Sequence, residues 1–163
     1  HSNAVNGNIF LLVESLLFVW QFERWKLFSK NNAWFIVIVA SLLLFWLAEN
    51  IFISDIYHFN SYFRIYYSTL LTFMGISIIN RLIVTERKLL VKNPIFLICV
   101  AFIMYYTMNI LVEVFWIYGI NLNKTFKTKV YHISVITNFI SIILYTLAIL
   151  WMPIKQRFTL PSS

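Results

Sequence analysis

The stretch NPIFLICVAFIMYYTMNILVEVFWIY, residues 93–118, is apolar along almost its whole length and holds a single charged residue, Glu113. A helix needs about 20 mostly apolar residues to cross a bilayer, and this stretch supplies them. Asn93 can cap the free amides of a new helix, and Pro94 suits the first turn, where no amide hydrogen bond is needed. The stretch therefore predicts a membrane-spanning helix that begins at Pro94.

Four other stretches of the sequence have the same character. Together the five predict spanning helices at about residues 9–28, 34–53, 62–84, 94–118 and 130–152. Strands are not expected, because a membrane barrel needs an alternation of polar and apolar residues that these stretches lack. The predicted fold class is all-α: a polytopic transmembrane helix bundle of about five helices.

The composition of the chain agrees with a membrane protein. Of the 163 residues, 61% are hydrophobic and 12% are charged, whereas soluble domains carry about 25% charged residues. The formal net charge is +7, but the basic residues lie in short clusters between apolar stretches. Membrane topology explains such clusters, so nucleic acid is not an expected partner. Cys99 is the only cysteine, which excludes an intrachain disulfide.

Three regions are predicted along the chain. Residues 1–8 include Ser2, Asn3 and Ala4, which resemble the remnant of a cleaved expression tag, followed by an outer N-terminal segment. Residues 9–152 form the transmembrane helical domain, and residues 153–163 form a cytoplasmic tail. The natural protein is expected to extend further upstream.

The distribution of Lys and Arg predicts the orientation of the bundle. More basic residues follow the first, third and fifth predicted helices than lie on the opposite side. The first group is Arg24, Lys26, Lys30, Arg81, Arg87, Lys88, Lys92, Lys155 and Arg157, and the second is Arg64, Lys124, Lys127 and Lys129. By the positive-inside rule, the N-terminus is expected outside and the C-terminus in the cytoplasm.

Each predicted helix carries a polar or ionisable group toward its outer end. The candidate ligand-binding residues are Glu14, Glu49, Arg64, Glu113 and His132. A carboxylate in hydrocarbon is costly unless it is neutralised, paired or solvated. These side chains are therefore expected to turn toward each other and to line a polar cavity that opens to the outside.

Structural roles for the same residues remain open. Glu49 can mark a helix end at the headgroups, and Arg64 can reach the interface with its long side chain. Glu14 and Glu113 can join helices through hydrogen bonds, and His132 can be an ordinary interfacial histidine. No metal-ligand spacing, haem-binding pair or nucleotide motif is present, so no metal and no cofactor are expected. Catalytic residues cannot be assigned.

Other polar side chains lie at the inner end of the third predicted helix or within the fourth and fifth. Asn80, Arg81, Asn109 and Asn138 are expected to form hydrogen bonds between helices. The interior tyrosines need partners for their hydroxyl groups, and core packing is favoured over ligand contact. They are Tyr66, Tyr67, Tyr105, Tyr106 and Tyr145.

Three stretches resemble a family of seven-helix membrane proteins that is common in Bacteroidetes and also precedes sensor histidine kinases. They are IFLLVESLLFVWQFERWKLFSK (9–30), ERKLLVKNPIFLICVAFIMYY (86–106) and ITNFISIILYTLAILW (136–151). The resemblance implies a multi-pass protein of a bacterial inner membrane with a sensory role. It also implies two further helices upstream, and it assigns no catalytic residue.

The expected function is a sensor or receptor-like signalling module. A small ligand would enter from the outer side, and a cytoplasmic kinase or regulator would receive the signal. One alternative is an intramembrane enzyme that acts on a lipid or lipid-linked substrate and uses the buried Glu residues as acid and base. Another is a small transporter or channel subunit in which Glu14 and Glu113 relay protons or ions. Whether the protein is an enzyme stays open.

Overall fold

The computed structural model describes residues 2–28, 32–53, 56–85, 89–118 and 124–152, and no strand occurs within these ranges. The five long helices are α1 (Ser2–Arg24), α2 (Asn32–Ala48), α3 (Ser61–Thr85), α4 (Pro94–Tyr118) and α5 (Lys124–Leu150). α2 continues into a π-helical turn, Glu49–Ile53, and a short 3₁₀ helix, Leu90–Lys92, precedes α4. The predicted tail, residues 153–163, lies outside the described residues.

All five helices are long and apolar enough to cross a membrane. This confirms the predicted fold class, an all-α bundle with the character of a multi-pass membrane protein. α4 has the predicted bounds, whereas α1 and α5 begin earlier than the predicted starts near residues 9 and 130. Helical geometry continues through polar residues there, where hydropathy gives no signal. The orientation of the termini stays a prediction.

α3 and α4 form the centre of the bundle. α3 packs most extensively against α4, α4 also packs against α5, and α1 packs against α2 and α3. Gly75 permits the close approach of α3 to α4, since a Cβ atom there would lie 3.2 Å from Cγ1 of Ile103. Buried side chains of α1, α3 and α4 make up most of the core, among them Val19, Phe22, Leu71, Ile78 and Phe102.

α1 ends in a Schellman motif, with Lys26 in the left-handed region at φ 58°. The Leu27 amide donates to the Phe22 carbonyl at 3.1 Å, and the Lys26 amide donates to the Glu23 carbonyl at 2.7 Å. Two carbonyls beyond them, those of Trp25 and Lys26, accept hydrogen bonds from the Arg81 guanidinium of α3. The predicted interhelical role of Arg81 is therefore confirmed.

These contacts also define the direction of the helices. Arg81 joins the end of α3 to the end of α1, so these two helices run parallel. Arg64, near the start of α3, pairs with Glu113 near the end of α4, so α3 and α4 run antiparallel. We use the term basic end for the end of the bundle that holds Arg24, Lys26, Arg81 and Lys92.

The start of α4 is capped as its sequence predicts. The side-chain oxygen of Asn93 accepts hydrogen bonds from the amides of Ile95 at 2.9 Å and Phe96 at 3.3 Å. These amides have no partner within the helix, so the cap satisfies two otherwise free donors.

Candidate functional site

Glu49 caps the start of α3 from another helix. Its carboxylate lies at the end of α2, is almost fully buried, and accepts hydrogen bonds from the amides of Tyr62 and Phe63. Asn60 stands where a local cap is usual, but within the described residues its side-chain atoms are buried without a hydrogen-bond partner. Glu49 therefore supplies the negative charge that a helix N-terminus favours.

Asn8 of α1 forms hydrogen bonds with the segment that connects α2 to α3. Its side-chain nitrogen donates to the carbonyls of Ile56 at 3.0 Å and His58 at 2.6 Å, and its side-chain oxygen accepts from the Asn60 amide. The side chain is completely buried. Its backbone carbonyl accepts a hydrogen bond from the indole of Trp46. Asn8, which lies ahead of the first predicted helix, thus belongs to the packed interior.

Arg64 and Glu113 form an ion pair between α3 and α4. A guanidinium nitrogen lies 2.6 Å from a carboxylate oxygen, and the Glu113 side chain is 8% exposed against 34% for Arg64. The pair neutralises a buried carboxylate and leaves the arginine partly accessible. Arg64 is therefore an ion-pair partner of Glu113 and not only a side chain that reaches the membrane interface.

The His132 side chain is exposed on the surface of α5, where its ring contacts Tyr131. In the described part of the chain it makes no hydrogen bond with the other four candidate residues. The structure thus brings Arg64 and Glu113 together and gives Glu49 a capping role. Ligand binding by these four residues stays a prediction.

Glu14 lies further into its helix than the sequence predicts. It is about 18 Å along the α1 axis from Ser2, at 1.5 Å per residue, because the helix begins earlier than predicted. Its two carboxylate oxygens accept hydrogen bonds from the hydroxyls of Tyr106, at 3.2 Å, and Tyr67, at 3.5 Å. These bonds join α1 to α4 and α3, which confirms that Glu14 links helices.

A cleft opens beside Glu14 between α1, α4 and α5. Its volume is about 580 Å³, within the range of small-molecule sites. It forms because α5 packs against α4 and leaves space between itself and α1. Half of the described residues that line it are aromatic: Phe18, Trp25, Phe102, Tyr105, Tyr106 and Tyr145.

The cleft extends from Glu14 toward the basic end of the bundle. On α1 it reaches Trp25, and on α5 it reaches Met152, close to the last turn of each helix. The sequence predicted an outward-facing cavity, so the cleft lies in the opposite half of the bundle under the predicted orientation. Glu49, Arg64, Glu113 and His132 do not line it.

Several polar groups of the cleft lack a partner. Within the described residues, the amides of Gln21 and Asn138 and the hydroxyls of Tyr105 and Tyr145 make no hydrogen bond. Asn138 is exposed, so the expected bond between helices is not formed. An unsatisfied polar group at membrane depth costs free energy. The cleft is therefore suited to an occupant that offers polar atoms.

Among the described residues, no group of three His, Cys, Asp or Glu side chains comes together in a geometry that could hold a metal ion. The carboxyls of Glu14, Glu49 and Glu113 come from different helical segments, and each has its own hydrogen-bond partners. The chemistry that the cleft offers is one acidic group among aromatic rings, amides and hydroxyls.

Sequence reasoning identified Glu14 but missed the residues around it. For Tyr105 and Tyr145 the sequence favours core packing over ligand contact, and it gives Gln21 no predicted role. Helical spacing held a usable signal: Glu14, Phe18, Gln21 and Trp25 follow one another at three or four residues and therefore share one face of α1. The sequence did not reveal that α5 leaves this face uncovered.

Comparisons of the chain with family models, curated proteins and solved structures gave no match. The resemblance to seven-helix sensory proteins accordingly stays a prediction. What the chain can do is inferred from its own fold and from the Glu14 cleft.

Proposed function

We propose that the chain is a sensor or receptor-like module of a bacterial inner membrane, which binds a small amphiphilic molecule in the cleft beside Glu14. The observation that carries this proposal is the set of unpartnered amides and hydroxyls in an aromatic cleft at membrane depth. A ligand with polar atoms and an apolar body would satisfy both parts of that wall.

The hydrogen bonds at the basic end supply a route from ligand to signal. Trp25 lines the cleft, and its carbonyl accepts a hydrogen bond from Arg81 of α3. A ligand that favours one position of the α1 end must therefore also bias the contact between α1 and α3. It shifts this equilibrium only if it binds the two arrangements with different affinity. In the predicted orientation these helix ends face a cytoplasmic kinase or regulator.

The same cleft favours binding over catalysis. The intramembrane-enzyme hypothesis uses two carboxyls as acid and base, whereas Glu14 is the only carboxyl among the described residues that line the cleft. Glu49 is committed to the amides of α3, and Glu113 to Arg64. One carboxyl group surrounded by aromatic side chains is better suited to binding a ligand than to acid and base catalysis.

Filling the cleft tests the proposed binding. We expect Asn138→Phe to remove most of a small molecule that is co-purified with the wild-type chain, because the new ring occupies the cleft. Native mass spectrometry of the protein in lipid nanodiscs measures the bound mass. Ile136→Phe is the matched control, since Ile136 is exposed on α5 and does not line the cleft. Equal binding by both variants, or no bound molecule in the wild type, would contradict the proposal.

A second prediction concerns transmission of the signal. We expect Arg81→Ala to retain the affinity for the co-purified molecule within about threefold, a change below 1 kcal/mol. The ligand-induced change in hydrogen exchange at the end of α3 should disappear, because the link to α1 is lost. Asn80→Ala, an exposed neighbouring position, is the control. A ligand response in Arg81→Ala that equals the wild type would refute this route.

A further inference from the structure

The charge of the Glu14 cleft indicates which class of molecule it takes. Among the residues that the structure describes, Glu14 is the only acidic one that lines it, and no Lys, Arg or His side chain of these residues does so. Arg64 is already paired with Glu113 at 2.6 Å. The described walls therefore hold a carboxylate without a directly contacting cation.

The hydrogen bonds that Glu14 receives bring no positive charge to it. Tyr67 and Tyr106 each donate one hydrogen bond to the carboxylate, but both hydroxyls are neutral. An ionised carboxylate has about four acceptor positions, so capacity remains for a donor from the cleft. A positively charged donor would form the stronger, charge-assisted hydrogen bond.

The aromatic wall favours the same class of ligand. Six aromatic side chains surround the cleft, and the faces of such rings attract ammonium groups through their quadrupoles. The carbonyl oxygens of Gln21 and Asn138 can accept further N–H groups, while the rings, Ile98 and Ile149 can bury an apolar chain.

We propose that the ligand is a cationic amphiphile: an ammonium group that binds the Glu14 carboxylate, joined to an apolar chain that lies against the aromatic wall. This inference rests on the proposed function and adds the charge of the ligand to it. It distinguishes the cleft from a site for fatty acids, whose carboxylate would be repelled by that of Glu14. It also distinguishes the cleft from a site for neutral lipids, which would gain no charge-assisted hydrogen bond from Glu14.

The test compares three probes of one chain length: decylammonium, decanol and decanoate. Binding to the full chain in phosphatidylcholine nanodiscs is measured by calorimetry, with empty nanodiscs subtracted to remove partition into lipid. We expect decylammonium to bind the wild type at least about tenfold more tightly than either other probe, since loss of one partner of a buried charge pair typically costs more than that factor.

Two substitutions assign the preference to the cleft. Glu14→Gln should abolish the preference for decylammonium, whereas Asn138→Asp should increase it by adding a second carboxylate. The gain expected for Asn138→Asp keeps the test informative if Glu14→Gln folds poorly.

Equal or tighter binding of decanol would overturn the cationic ligand and leave the proposed binding function standing. Absence of binding by all three probes would overturn this inference, and the failure of the co-purification experiment would separately overturn the proposed function.

Discussion

Replacing Glu49 with alanine is expected to destabilise the bundle by about 2–4 kcal/mol, because two amide donors at the start of α3 lose a charged acceptor. The Glu49 side chain is nearly fully buried, so water cannot readily replace it at the amides of Tyr62 and Phe63. Glu49→Gln keeps one carbonyl acceptor and should cost less. Unfolding in mixed micelles of mild detergent and dodecyl sulfate, followed by circular dichroism, measures the difference.

Glu23→Ala is the matched control for Glu49. Glu23 is a half-buried carboxylate near the end of α1, and its side chain makes no hydrogen bond within the described residues. We expect its replacement to change the free energy of unfolding by less than about 0.5 kcal/mol. If Glu49→Ala and Glu23→Ala have similar effects, Glu49 is not the cap of α3.

The second large effect is expected for Asn8→Ala. This change removes three side-chain hydrogen bonds, to Ile56, His58 and Asn60, from a position with no exposed surface. A loss of about 2–4 kcal/mol follows if the buried backbone groups find no other partner. The same unfolding measurement applies, and hydrogen exchange should additionally become faster in residues 56–60.

Asn6→Ala controls for the loss of an asparagine from the same helix. Asn6 is exposed and makes no side-chain hydrogen bond within the described residues, so its replacement should be nearly neutral. An equally mild result for Asn8→Ala would mean that the first turns of α1 are not fastened to the connection between α2 and α3.

The helices were predictable because their lengths and apolar composition are local properties. The start of α4 was the clearest case, since Asn93 and Pro94 mark it by side-chain chemistry alone. The start of α1 was placed too late, because Asn8 is polar and its burial depends on carbonyls almost fifty residues away. Hydropathy along the chain cannot register such a partner.

The candidate site was predictable only in its residue types. Glu14 stands out in the sequence as an acid in an apolar helix, but the placement of all five candidate residues toward the outer helix ends assumed that α1 begins near residue 9. The partners of Glu14 come from α3 and α4, and the open side of the cleft depends on how α5 packs. These are tertiary relations that helical periodicity does not contain.

An experimental structure of the chain in a lipid bilayer, prepared from the membranes in which it is produced, would show whether the cleft beside Glu14 holds a ligand. We predict a bound molecule between α1, α4 and α5, with a polar atom about 3 Å from the Glu14 carboxylate. Direct packing of α1 against α5, with Gln21 and Asn138 bonded across the contact and no space beside Glu14, would contradict it.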